Sequence, residues 1–99
     1  MLITIQYEFE AIMWQHPSPG GWYFVSLPQV MAEEIRSLLK SREEAWGRMR
    51  AKVKMGNSEW ETALWYDTKQ HTYLLPIKAQ IRKKELFKVN DRIKTKLYL

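Results

Sequence analysis

The chain opens in strict alternation. Ile3, Ile5, Tyr7, Phe9, Ala11 and Met13 fall on one side of an extended backbone, and Thr4, Gln6, Glu8 and Glu10 on the other. Period two from 3 to 14 predicts a long strand with one buried face. The loop HPSPGG, 16–21, breaks it with two prolines and two glycines. WYFVSLP, 22–28, predicts a second strand. PQVMAEEIRSLLK then predicts a helix with proline at its start and Met31, Ile35, Leu38 and Leu39 as its core face. After the polar linker SREEAWG the alternation returns in RMRAKVKM, crosses Gly56-Asn57 and continues through EWETALWYD. A Gly-Asn pair between alternating segments predicts a two-residue hairpin turn with glycine at positive φ. The loop TKQH leads to a strand TYLLP, a short helix IKAQIRKKELF, a turn at Asn90-Asp91 and a last strand RIKTKLYL.

The order strand, strand, helix, strand thus occurs twice, and residues recur with it. EFEAIMW, 8–14, matches EWETALW, 59–65. Leu27-Pro28 matches Leu75-Pro76, Ile35-Arg36 matches Ile81-Arg82, and the basic strand 50–54 matches 92–96. The spacing between matched blocks shrinks steadily along the chain, as shorter loops and a shorter second helix require. This predicts an internal ββαβ duplication, with repeat one at about 1–56 and repeat two at about 57–99, in one domain of 99 residues around one modest core.

With Gly56-Asn57 as the turn, Lys54 stands opposite Glu59 and Lys52 opposite Glu61. On the other face Val53 meets Trp60, Ala51 meets Thr62 and Met49 meets Leu64. Opposite charges outside and mostly apolar pairs inside select this register. The duplication then predicts that the last strand pairs with the first, Lys96 opposite Glu8 and Lys94 opposite Glu10. That pairing would close the sheet into a barrel and remove its edges.

The run YLLPIKAQIRKKELFKVNDRIKTKLYL, 73–99, is joined by Phe9-Glu10-Ala11, by Gly21-Trp22-Tyr23-Phe24-Val25, by Leu27-Pro28 and by the strand around Lys52-Val53-Lys54. In this order they resemble the small bacterial proteins grouped as domain of unknown function nineteen-oh-five, over essentially the whole chain. The resemblance implies an all-β fold with two short capping helices: a closed six-stranded double-split β-barrel, similar to AbrB-like transcription regulators and antitoxin DNA-binding domains, but made from one duplicated chain. It implies no established activity. Where the last turn of such proteins usually carries Gly-Asp, this chain has Asn90-Asp91, and asparagine also tolerates a left-handed backbone.

Composition narrows the chemistry. There is no cysteine, which excludes disulfides and thiolate metal sites. No signal peptide or membrane-spanning run is evident, so a cytoplasmic location without membrane contact is expected. His16 and His71 lack a second histidine at ligand spacing, and neither a metal nor a cofactor is expected. The pairs Glu8/Glu10 and Glu59/Glu61 each share a strand face, as acid–base work would need. Each also faces lysines, so they are read as register marks and no catalytic residue is assigned.

The net charge is +5, which suits anionic partners. The triplets Arg50/Lys52/Lys54 and Arg92/Lys94/Lys96 read either as solvated charge ladders or as phosphate-binding stripes. The two halves differ most in their helices. From Glu33 to Glu44 acids and bases nearly balance, whereas the second cap carries Lys78, Arg82, Lys83, Lys84 and Lys88 against Glu85 alone. These five cations are the candidate anion-binding residues of a non-enzymatic binding module whose partner is nucleic acid or an acidic protein. A merely solvated basic helix is the plain alternative. Five tryptophans supply a second set of candidates. Trp14 and Trp65 fall on the polar faces of their strands, and Trp22 adjoins the HPSPGG loop. With Arg36 they are candidates for a ligand pocket or an interface, which would suit a small-molecule binder, an enzyme or a scaffold, as monomer or homodimer. A bulged strand or a covering helix would account for the same rings structurally.

Overall fold

The computed structural model describes residues 4–99, so Ile3 of the expected opening strand lies outside the described residues. Each alternating segment contains a strand, and the first is interrupted at Met13. The elements are β1 (Gln6–Ile12), β2 (Trp14–Gln15), β3 (Tyr23–Ser26), α1 (Gln29–Leu39), β4 (Arg48–Met55), β5 (Ser58–Asp67), β6 (Thr72–Pro76), α2 (Ala79–Glu85) and β7 (Arg92–Tyr98). Two short 3₁₀ turns, Lys40–Arg42 and Ala45–Gly47, fill the linker between α1 and β4.

All pairings are antiparallel, in the order β1-β7-β4-β5-β6-β3-β2. The sheet therefore has seven strands and runs open, as a curled half-barrel, where a closed six-stranded double-split barrel was expected. Met13 is the reason. Its side chain is fully buried, its N–H donates to Asp91 O and its carbonyl accepts from Asn90 N–H, each at 2.9 Å. That diversion ends β1 on β7 and starts β2 on β3, so one stretch of chain supplies both ends of the sheet. Pairing is the same in the two halves: β1 lies on β7 as β5 lies on β4, while β3–β6 and β4–β7 join residues before the Gly56 turn to residues after it.

Both expected registers are present. Lys54 pairs with Glu59 and Lys52 with Glu61, and Glu8 pairs with Lys96 and Glu10 with Lys94. The ion pairs themselves are partly diagonal: Lys52–Glu59 at 3.4 Å, Lys96–Glu8 at 3.8 Å and Arg92–Glu10 at 3.8 Å. Exposed pairs of this kind contribute about 0–1 kcal/mol, so the inward residues decide the register. Val53, Leu64, Leu75 and Leu97 are completely buried, with Val25 beside them, and one core cluster joins both halves.

The helices close over this core. α1 buries Ala32, Ile35 and Leu39. Leu38, expected in the core, is exposed, because it stands at the rim of a stripe that runs i, i+3, i+7. α2 stops at Glu85 instead of reaching Phe87, since Leu86 turns left-handed (φ 60°) and returns Phe87 toward the core. Asn90 is left-handed too, at φ 77°.

Glu85 has a further structural duty. Its carboxylate accepts from Asn57 N–H at 3.2 Å and from Ser58 Oγ–H at 2.6 Å, which pins α2 to the β4–β5 turn. The Ser58 hydroxyl first, and the Asn57 amide second, hold its carboxyl below the usual glutamate range. Its stabilising effect is thus complete above the unfolded value of about 4.3 and fades as pH falls through the lower folded value. Glu85→Gln is expected to flatten the acid limb of the melting-temperature profile in that window. Gly56 sits at φ 58°, and a Cβ there would lie 2.1 Å from Glu85 Oε1. Gly56→Ala should therefore destabilise by more than about 1 kcal/mol in urea unfolding.

Candidate functional site

Each helix sends one arginine onto a tyrosine. The Arg36 guanidinium of α1 lies 3.6 Å from the ring centre of Tyr66 on β5, and Arg82 of α2 lies 3.6 Å from that of Tyr23 on β3. Each contact ties a helix to a strand of the other half. A desolvated stack of this type is worth roughly 1–2 kcal/mol. The two arginines match in sequence and in stacking, and they differ in what supplies negative charge.

Arg36 has a carboxylate from its own chain. Glu43, brought by the linker after α1, lies 3.6 Å from Arg36 Nε with its side chain 9% exposed. Tyr73, completely buried, donates its hydroxyl hydrogen to Glu43 Oε1 and meets Tyr66 edge-on at 5.1 Å. Burial, then the bond to Glu43, pushes the Tyr73 phenol well above its ordinary range. Arg36 is therefore part of an ionic cluster that locks α1 to β5 and β6, and it is not among the residues lining the cleft beside Arg82. Sequence reasoning missed Glu43, Tyr66 and Tyr73, because they come from separate segments.

Arg82 makes no ion pair among the described residues. Its Nε–H donates to Ile77 O at 3.1 Å, which aims the guanidinium across the start of α2. There it borders a cleft of ≈ 350 Å³ with Lys78, Trp22, Tyr23 and Trp60 on its walls, and with Glu61 as its only acid. The HPSPGG loop forms the rim and is shaped for it. His16 N–H donates to Trp22 O and Gly21 N–H to Ser18 O, both at 2.9 Å, and Ser18 N–H donates to His16 Nδ1 at 3.2 Å. A Cβ at Gly21 would stand 2.1 Å from His16 O, so only glycine fits this closure. His16 thus pins the loop that presents Trp22, a residue 61% exposed.

The remaining candidates separate. Lys83, Lys84 and Lys88 are exposed on or just after α2, outside the cleft wall. Trp14 is half-buried on the outer side of the sheet, 5.2 Å from Phe24, with its indole N–H donating to Ser26 Oγ at 2.9 Å. Trp65 is also half-buried and lies under the Arg48 guanidinium at 5.9 Å. The cleft brings together Trp22, Lys78 and Arg82, and Tyr23 and Trp60 join them unannounced. Chemically it offers cations and ring faces. Among the described residues no group of three His, Asp or Glu side chains could hold a metal ion, and no helix is long and apolar enough to cross a membrane.

The family model for Domain of unknown function (DUF1905) matches residues 9–97. The chain belongs to this family. No curated protein matches it.

The ionic cluster is expected to be stabilising in a measurable way. Tyr73→Phe leaves Glu43 without its donor and should cost about 1–3 kcal/mol in chemical unfolding. Because the folded phenol titrates above its unfolded value, its contribution is complete below about pH 10 and is lost as pH rises further. An alkaline absorbance titration should show Tyr73 and Tyr7 ionising above the ordinary tyrosine range, and Tyr73→Phe should remove one of these two late steps.

Proposed function

We propose that this protein is a non-catalytic binding module, framed by a curled half-barrel, that takes an anionic group carrying a flat unsaturated body in the cleft at the start of α2. The contrast between the two arginines carries this reading. Arg36 and Arg82 are matched in sequence and in their tyrosine stacks, yet Arg36 is neutralised internally by Glu43 while Arg82 and Lys78 face an aromatic-walled cleft. A guanidinium held over a ring, with an ammonium beside it, suits a phosphate or carboxylate. Trp22 and Trp60 suit a planar body next to that charge. Lys83, Lys84 and Lys88 add field of the same sign around the entrance, which raises encounter rates at low salt.

Titration of intrinsic tryptophan fluorescence with a nucleoside monophosphate tests the reading. Saturable quenching is expected at low salt, weakening as salt is raised. Lys78→Ala and Trp22→Ala should each weaken it by about tenfold, the loss of one charge-assisted contact or one stacked ring. Unchanged fluorescence up to millimolar ligand at low salt would remove the cleft from consideration.

A further inference from the structure

The cleft does not end at Trp22. Trp22, Glu61, Thr62 and Pro76 also line a shallower groove of ≈ 1050 Å³ that continues over the outer face of β4 and β5 to the end of β7. Strand parity decides what stands there. Met49, Ala51 and Val53 are buried inward, so Arg48, Arg50 and Lys52 form an outward row. Their spacing is two residues, about 6.7 Å from the rise of a strand. Register then sets rings beside cations: Arg48 is paired with Trp65, and Lys52 with Tyr98. Trp22 stands at the far rim, 6.3 Å from Phe24.

We infer that this groove, with the cleft as its terminus, binds single-stranded nucleic acid, the bases stacking on Trp22, Trp65 and Tyr98 and the phosphates meeting Arg50, Lys52 and Lys78. The inference rests on the reading of the cleft, which receives one nucleotide unit of the strand. The alternation of cations with ring faces is the deciding observation. A duplex keeps its bases stacked inside and has no use for the rings, whereas a single strand offers a phosphate and a free base at each step. An acidic peptide would use the cations and leave the ring faces idle.

The acids on this face do not block it. Glu44 pairs with Arg48 and approaches Arg50 at 3.9 Å, and Glu59 meets Lys52 at 3.4 Å. These are solvent-exposed pairs that exchange at little cost, and the Arg50 side chain is 81% exposed. Glu61 lies in the groove and disfavours a phosphate at its own position, which places the backbone of the strand along β4, with bases turned to the rings on either side of it: Trp65 and Trp22 on the β5 side and Tyr98 on the β7 side.

Fluorescence anisotropy with labelled oligodeoxythymidylate of about 12 nucleotides, within the usual site size, tests the inference. The oligomer is expected to bind at least tenfold tighter than the monophosphate, with log affinity falling against log salt at a slope of about −2 for three phosphates. Arg50→Ala should reduce that slope by about 0.7. Trp22→Ala, at an exposed ring, should keep the wild-type melting temperature and weaken binding by about tenfold. An oligomer that binds no tighter than a monophosphate that still binds would overturn the inference and leave the cleft reading standing. Failure of both ligands removes both. Equal affinity for a duplex or for inorganic polyphosphate, unaffected by Trp22→Ala, also overturns it, since charge alone would then account for binding. So does a dimer seen in sedimentation that Trp22→Ala dissociates while the oligomer fails to bind, because the face would then serve a second copy of the chain.

Discussion

Burial of one face of β4, β5 and β7 is the constraint from which most of this molecule follows. A one-residue slip in any of these strands would turn Val53, Leu64 or Leu97 to water and bring a lysine or glutamate into the core. No surface ion pair is strong enough to oppose that. The outward row of cations, the rings paired with them and even the like-charged Lys54 and Lys96 opposite one another are consequences of the inward set. Lys54 and Lys96 tolerate their contact because both are exposed, where a repulsion of this kind is screened.

On that frame the two helices differ in what surrounds a shared contact. Arginine over tyrosine fastens each helix to a strand of the other half, and neither stack can be lost without loosening a cap. In the first half the linker after α1 is long enough to fold Glu43 back under Arg36, where buried Tyr73 holds it. In the second half α2 ends in the left-handed Leu86, and its glutamate, Glu85, is spent on the β4–β5 turn. Among the described residues no carboxylate pairs with Arg82. One arginine is paired within the chain and the other makes no ion pair among the described residues, and the difference arises from loop length and helix length, not from the arginines.

Much of the fold was legible because it rests on local periodicity. Strands of regular alternation, the glycine turn at Gly56, the left-handed Asn90 and both long registers all stand where residue pattern predicts them. The errors share a cause. The first strand was read as continuous because its side-chain parity never falters, yet Met13 is diverted by hydrogen bonds to Asn90 and Asp91, which are remote in sequence. Leu38 was assigned to the core because a helical stripe has no sharp edge until its neighbours are known. Of the candidate residues, Trp22 from one set and Lys78 and Arg82 from the other line the same cleft. Arg36 was grouped with them because nothing in a linear sequence shows that Glu43 reaches it.

What the sequence determined by itself was therefore parity, register and the sign of each surface, since these depend on neighbours two residues away or directly across a turn. Only the tertiary structure decided which cations remain free and which rings they meet. That outcome depends on where separate segments come to rest: Glu43 against Arg36, Glu85 against the Gly56 turn, and Trp22, carried by the HPSPGG loop, on the same cleft as Arg82. Each is a contact between parts of the chain that share no local pattern, and the folded core alone brings them within reach.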